Sequence, residues 1–389
     1  MRSVMNRSLL SRLSSIDWDF AGSFSESPFS AIHFHPCRFA SQLPATLIGL
    51  LSKPGDLVLD PFTGSGTTMV EAQRLDRRSL GIELNPIAVT AAKAKTISKP
   101  ATCISSVIRL LKHEANTYLG AQMSTFKREL SPTIPATVQV EKWYLPRVAK
   151  ELGLLWSFIN GLDEDNRIIG EAAFSAILLT VCRETRHWGY VCDNVTPKTD
   201  RDAEVIAEFV RVLDRLDRAY QERDAEIFAR EGTTNSIREV KILTGDSTVL
   251  LANHPSSTVD LVVTSPPYFG VCDYIKAQRL SMEWAGIGIE DLRLREIGAR
   301  SKRHRAKASS EYLKDLRSVF SETRRCLKKS GHVALIIGES ARREGVLSDL
   351  REMAKDVGFS VEVEINRAVS TQRRFSPSIT GEHLFVLRR

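Results

Sequence analysis

The sequence predicts an α/β protein: a doubly wound, mainly parallel sheet with an antiparallel closing strand, interrupted after its second strand by a helical insertion. Three observations predict it. Short apolar runs alternate with helix signals at both ends of the chain, as a parallel sheet requires. The middle, from about 98 to 238, keeps helical periodicity without strand alternation. Two late runs, Ser360 to Ile365 and His383 to Leu387, read as a closing antiparallel pair.

The elements follow in order. Leu57-Val58-Leu59-Asp60 comes after the turn-forming Pro54-Gly55-Asp56 and reads as the first strand. It runs into a Gly-rich loop and a helix from about Thr67 to Leu75. Ser79 to Glu83 is the second strand. Pro86, at a first helical position behind Asn85, starts a helix to about Lys95. Within the insertion, Val205, Ile206, Phe209, Val210, Leu213, Leu216 and Tyr220 recur at three- and four-residue spacing, which marks an amphipathic helix over Asp202 to Arg230. Strands resume at Val240 to Leu243 and Val259 to Thr264. A helix carrying Tyr312, Leu313, Leu316, Val319, Phe320 and Leu327 precedes the apolar run His332 to Ile337. Residues 31–98 and 239–389 therefore make one domain, 99–238 the insertion, and 1–30 an N-terminal leader. The first fifteen residues are rich in Arg and Ser and lack acids, as in an organelle transit peptide. They have no secretory apolar core, and a mobile or amphipathic leader is the plainer reading.

Composition narrows the class. With 42% hydrophobic and 26% charged residues, the chain has the balance of a soluble globular protein. No apolar run is long enough to span a membrane. A net charge of +7 is compatible with a polyanionic partner without establishing one. The six cysteines (Cys37, Cys103, Cys182, Cys192, Cys272, Cys326) include no CxxC pair, which argues against a zinc site or disulfide framework and for a reducing cytoplasm. His33 and His35 have no partner ligands nearby, so no metal is expected.

The loop Asp60-Pro61-Phe62-Thr63-Gly64-Ser65-Gly66-Thr67-Thr68 lies beyond the first strand, where open α/β sheets bind ligands. Gly64 and Gly66 allow a sharp turn and a close backbone approach. The dinucleotide fingerprint fails because Met69 takes the place of its last glycine, and no Walker lysine is present. Asp60 would repel a phosphate and suits a cationic ammonium group. Glu83, followed by Leu84 and Asn85, ends strand two, where a carboxylate can accept both hydroxyls of a ribose. Asp246, followed by Ser247, comes after the third strand and is placed for an adenine amino group. Three acids at consecutive strand ends describe an adenosine carrying an amino acid rather than a pyrophosphate. Each acid alone could equally be a helix cap or a solvated loop residue.

Strand four emerges into Ser265-Pro266-Pro267-Tyr268. Two prolines cannot continue a central strand, so they fix a rigid loop beside the ligand crevice. Thr264-Ser265-Pro266-Pro267-Tyr268, with Asp60 to Thr67 upstream, closely resembles the motifs of the amino-group DNA methyltransferases, which act on cytosine N4 or adenine N6. The lead-in His33 to Phe39, and Gly270 to Gly286 with Asp273, Tyr274 and Trp284, are similar to that family as well. The resemblance covers roughly 30–98 and 240–389 and leaves the middle unmatched.

The resemblance implies a Rossmann-like methyltransferase fold, S-adenosylmethionine bound by the Gly-rich loop, and catalysis at Ser265, Pro266, Pro267 and Tyr268. It adds Arg38 and Phe39 to the cofactor site, at the methionine end. The Ser265 hydroxyl and the Pro266 carbonyl would accept the two N–H bonds of a base amino group, freeing its lone pair for direct transfer. Tyr268 would stack on the base once extruded from the duplex. Ser before the prolines leans toward cytosine N4 over adenine N6. DNA is the implied partner, with a separate restriction endonuclease beside it. The cofactor motif precedes the catalytic motif, a departure from the best-known permuted members. C5-cytosine methylation is excluded, because no Pro-Cys pair follows strand four.

For DNA contact, Arg293, Arg295, Arg300, Lys302, Arg303, Arg305 and Lys307 are interrupted by one acid, Glu296. A solvated loop is the alternative for this run. In the insertion, Arg183, Arg186, His187, Trp188 and Tyr190 form a basic-aromatic cluster suited to DNA, or equally a buried Trp among surface arginines. Arg373, Arg374, Phe375 and Pro377 precede the last strand and could close over the target. Two other readings stay open: an RNA amino-group methyltransferase, and a nucleic-acid-binding protein with an inactive methyltransferase fold.

Overall fold

The computed structural model describes residues 11–20, 27–32, 40–121, 131–184, 196–234, 237–340, 345–367 and 379–389. Arg38, Phe39, His33, His35, Arg186, Trp188 and the segment with Arg373, Arg374, Phe375 and Pro377 lie outside these residues.

A seven-stranded sheet in the order β3-β2-β1-β4-β5-β7-β6 organises the chain. Its strands are β1 (Leu57–Asp60), β2 (Arg78–Glu83), β3 (Val240–Thr244), β4 (Val259–Thr264), β5 (Leu327–Ser340), β6 (Ser360–Arg367) and β7 (Ile379–Arg388). The first five run parallel, and β7 pairs antiparallel with β5 on one side and β6 on the other. The expected closing pair is therefore present, with the last strand inserted between its neighbours. The helix expected to reach Leu327 stops at Cys326, and Leu327 already belongs to β5.

On this sheet pack α1 (Gln42–Leu51), α2 (Thr67–Arg74) and α3 (Pro86–Lys95). Asn85 starts α3 by accepting the Ile87 and Ala88 amides at 3.0 and 3.3 Å, satisfying donors that the first turn leaves open. Between α3 and β3 come only helices among the described residues: α4 (Ala101–Ala121), α5 (Val138–Trp143), α6 (Pro146–Asn160), α7 (Glu164–Ile177) and the long α8 (Val205–Glu231). After β3 follow α9 (Ser247–Ala252), α10 (Tyr274–Ala277), α11 (Arg279–Trp284), α12 (Glu290–Arg295), α13 (Ala308–Cys326) and α14 (Val346–Val357).

The helical region is not built around a core of its own. Its buried cluster takes Phe209, Leu213 and Tyr220 from α8 and Leu152 from α6. It also takes Phe29, Val70 of α2, and Leu280 and Trp284 of α11. Arg223, with a side chain 1% exposed, ties α8 to the end of α3. It donates to the Ile97 and Lys99 carbonyls at 2.7 and 2.6 Å, and Asp224 beside it accepts the Ala101 amide at 2.6 Å.

Within the expected leader, the described residues 11–20 pack on the sheet. Leu13 and Trp18 are buried with Val58, Leu261 and Val386 against the sheet. The Trp18 indole donates to the Leu13 carbonyl at 2.8 Å, so this aromatic ring anchors the segment instead of leaving it free.

Candidate active site

The strand order reverses between β1 and β4, which are hydrogen-bonded neighbours although β2 follows β1 in sequence. Loops leave such a switch point in opposite directions and open a crevice at the carboxyl ends of the strands. A pocket of about 910 Å³, counted out to its open mouth, lies there. The Gly-rich loop lines one wall with Pro61, Phe62, Gly64 and Thr67. Glu83, Leu84, Asp246 and Ser247 line the next, and Ser265, Pro266 and Pro267 close on it from β4. Eleven of the expected cofactor and catalytic residues, from four separate segments, thus meet in one cavity.

Backbone geometry shapes the loop. Gly66 sits at φ +88°, and a Cβ there would lie 2.8 Å from that of Ala92, so only glycine lets the loop close onto α3. The Thr63 amide donates to the Ile82 carbonyl at 3.0 Å, and the buried Lys95 ammonium holds the Ser65 carbonyl at 3.0 Å. The Glu83 carboxylate accepts the Gly64 amide at 2.9 Å and the Asn85 amide at 2.9 Å. Burial nevertheless raises this carboxyl to about 7. Asp246 caps α9, accepting the Thr248 amide at 2.8 Å, and still lines the pocket. The Ser247 hydroxyl donates to the Pro61 carbonyl, linking the two walls. Asn85 and Gly66 act as helix caps behind the lining.

Asp60 stands behind the loop. It is 1% exposed and does not line the pocket. Its oxygens accept the Thr68 and Thr264 hydroxyls, both at 2.7 Å, and the Phe62 amide at 3.0 Å. Burial raises it to about 6 against these three bonds. The side chain therefore braces β1 against α2 and β4, where a contact with a ligand ammonium had been expected.

Tyr268 is held in packing contacts of its own. Expected to stack on a base, it is 4% exposed and packs with Val271, Cys272 and Ala277. Its ring lies on Gly338 of β5, where a Cβ would come within 2.4 Å of Cε2. Its hydroxyl donates to Glu382 Oε1 at 3.1 Å and lies 3.4 Å from the Ser265 Oγ that donates to it. The tyrosine among the lining residues is Tyr274. The loop itself is fixed from outside, since the Tyr312 hydroxyl donates to the Pro267 carbonyl at 3.0 Å.

The basic run divides. Lys302 donates to the Leu294 and Glu296 carbonyls, both at 2.7 Å, and straps the loop instead of facing solvent. Arg293 pairs with Glu290 at 2.9 Å, and Arg295 both pairs with Asp291 at 3.2 Å and lines the pocket. Arg303, Arg305 and Lys307 are exposed, whereas Arg300 is half-buried and its amide bonds the Cys272 carbonyl at 3.0 Å. Sequence reasoning passed over Ile275, Glu296 and Ile297, which complete the wall with Tyr274. Glu296 is 5% exposed, accepts the Tyr274 amide, and is raised by burial to about 8. Its signal was present: a single acid kept inside a run of seven bases.

Among the described residues no cluster of His, Cys, Asp and Glu is arranged to hold a metal ion. None of their helices is long and apolar enough to cross a membrane.

A switch-point pocket bounded by a Gly-rich loop and a Ser-Pro-Pro loop defines a class of α/β proteins that hold a small ligand beside a rigid loop. Comparison with known proteins gives the family. The DNA methylase family of N6 and N4 enzymes matches residues 16–94 and 259–386, more than half the chain, and this chain belongs to it. It is 22% identical over 455 residues to the Type II methyltransferase M.MjaII of Methanocaldococcus jannaschii, covering 96% of this chain and 83% of that one. It is 27% identical over 279 residues to the Type II methyltransferase M.MvaI of Kocuria varians, covering 67% of this chain and 58% of the relative. A shorter match, 51% identical over 59 residues, joins 15% of the chain to 19% of the Type II methyltransferase M.Cfr9I of Citrobacter freundii. The family match leaves out residues 95–258, which include α4 to α8.

Proposed function

We propose that this chain is a site-specific DNA methyltransferase that moves a methyl group from S-adenosylmethionine to the exocyclic amino group of a flipped base, cytosine at N4. The observation that carries the reading is the meeting of the Gly-rich loop and Ser265-Pro266 in one pocket at the β1/β4 switch.

The residues present fit the cofactor. The loop backbone at Gly64, the Glu83 carboxylate and the Asp246 carboxylate line adjoining walls of the pocket, a set that can meet a ribose and an adenine. The Glu83 carboxylate has lone pairs beyond those its backbone partners take, so it can accept ribose hydroxyls. Asp246, half-exposed in the adjoining wall, suits an adenine amino group. When bound, the cofactor supplies an electrophilic methyl group on a sulfonium.

An exocyclic amino nitrogen is a weak nucleophile because its lone pair is delocalised into the ring. Ser265 Oγ and the Pro266 carbonyl accept its two N–H bonds and bend it toward tetrahedral geometry. The Pro pair and the Tyr312 bond hold these acceptors still, so the loop contributes orientation, and the proton that the methylated nitrogen must shed leaves to water at the open mouth of the pocket. Arg303, Arg305 and Lys307 meet DNA phosphates beside the pocket. Cytosine is favoured over adenine by the serine at position 265. Relatives described as Type II methyltransferases support a modification enzyme, and the reading extends to a cytoplasmic one working alongside a separate endonuclease.

Tritiated S-adenosylmethionine offered with unmodified DNA and with RNA tests the reading, followed by digestion to nucleosides. Label in N4-methylcytosine from DNA is expected. Label only in N6-methyladenine reassigns the base, and label only in RNA overturns the substrate. Nucleic-acid binding with no cofactor binding would identify an inactive fold.

A further inference from the structure

The catalytic loop rests on a buried polar row that the transfer reaction does not itself require. Gly338 of β5 pairs in register with Glu382 of β7, and Glu382 pairs in turn with Arg367 of β6. Directly opposed residues share a face of the sheet. The missing side chain at Gly338 makes room for the Tyr268 ring, which carries its hydroxyl to Glu382. Arg367 Nη1 donates to the other Glu382 oxygen at 2.9 Å, with side chains 4% and 11% exposed.

The donors run one way. A carboxylate can only accept, so the Tyr268 proton points to Glu382 Oε1. The Tyr268 oxygen is then left as an acceptor, and Ser265 Oγ donates to it at 3.4 Å. That distance is long for a hydroxyl pair, as catalytic hydrogen bonds often are before substrate tightens them. A serine whose single proton is committed in this way can meet an incoming N–H only with its lone pairs.

We propose that the Arg367–Glu382 ion pair, acting through Tyr268, fixes the Ser265 hydroxyl as a hydrogen-bond acceptor toward the target amino group. The inference rests on the reading of Ser265 given above. Glu382 and Arg367 are positioning residues, for neither lines the pocket. Without them the Ser265 proton could rotate toward the amino nitrogen and occupy the lone pair that must attack.

Glu382→Gln keeps the shape but offers an amide N–H to Tyr268, which can reverse the chain. The single-turnover rate of methyl transfer should fall on the order of tenfold or more, about the worth of one misdirected hydrogen bond. Cofactor affinity should hold. Tyr268→Phe, which leaves the ion pair intact, should cost less. The decisive measurement is Glu382→Gln combined with Tyr268→Phe. Cutting the chain isolates the introduced amide from Ser265, so the double variant should return to the rate of Tyr268→Phe alone. A merely structural role predicts losses that multiply. Multiplying losses, or a wild-type rate in Glu382→Gln, would overturn the proposal. If Glu382→Gln lowers the melting temperature, Arg367→Gln with Glu382→Gln removes the stranded guanidinium, and the same suppression by Tyr268→Phe is expected. Ser265→Ala separates the two levels. A full rate there sinks the Ser265 reading itself, whereas a slow Ser265→Ala beside a normal Glu382→Gln sinks only the inference.

Discussion

Gly338→Ala offers a direct probe of how tightly the Ser265-Pro266-Pro267 loop is held. The added Cβ would sit 2.4 Å from Cε2 and 2.6 Å from Cδ2 of Tyr268. Carbon atoms settle near roughly 3.5 Å, so the ring must retreat by about 1 Å. Val271, Cys272 and Ala277 enclose it, and the move would stretch the 3.1 Å bond to Glu382. Overpacking of this kind costs about 1–3 kcal/mol, less than the roughly 5–15 kcal/mol that holds an ordinary fold together. The variant should therefore fold. The loop carrying Ser265 and Pro266 moves with the ring, and a shift of about 1 Å at a reacting centre costs on the order of 100-fold in rate. Gly64, Glu83 and Asp246 sit beyond β1, β2 and β3, so cofactor affinity should not change. Single-turnover transfer to DNA, paired with calorimetric titration of S-adenosylmethionine, measures both quantities. An unchanged rate, or a loss accounted for by weaker cofactor binding, would refute the reasoning.

Four further outcomes are expected. Cofactor affinity should be flat above about pH 7 and fall by up to about tenfold per unit below it, because the proposed ribose contact uses the Glu83 carboxylate and burial holds that group at about 7. Titrations of Glu83→Gln should be weak and flat with pH, and a retained slope would exclude Glu83. Melting temperature should fall as pH rises from about 4 to 8. Burial raises Asp60 to about 6, Glu71 and Glu83 to about 7 and Glu296 to about 8, so the folded state keeps protons that the unfolded chain has released, and deprotonation destabilises it. Melting curves rising over that window would contradict the burial of these groups. Replacing Arg303, Arg305 and Lys307 with serine should reduce the slope of log affinity for DNA against log salt by about 2–3, and an unchanged slope would remove them from the interface. Arg223→Met strands the Ile97 and Lys99 carbonyls and should cost about 3–5 kcal/mol in urea denaturation; a loss below 1 kcal/mol, about the value of an exposed pair, would show that the clamp is dispensable.

What was legible in the sequence was local. The strands β1 and β4 announce themselves because an apolar run meets a turn or a proline pair within a few residues. Asn85-Pro86 marks the start of α3 for the same reason. The distant hydrogen-bond partners of Asp60 and Tyr268 were not legible, because they arrive from far along the chain. Thr264 reaches Asp60 across 204 residues, and Glu382 reaches Tyr268 across 114. Lys302 looked like a phosphate ligand because charge is visible in a sequence and the carbonyls that absorb it are not. Leu13 and Trp18 were read as leader because a short amphipathic segment shows no sign of the surface it will cover.

The shared helical core has a bearing on engineering. Trp284 lies four residues beyond Leu280 on α11, and both are buried among Tyr144, Phe174 and Phe209 of the helical region. The same loop-and-helix stretch begins with Tyr274 in the pocket wall. A chimera that exchanged only 99–238 for the matching region of a relative would cut through this cluster and leave a cavity beneath Trp284. The transplantable unit is discontinuous: the helical region together with α10 and α11, moved as one piece.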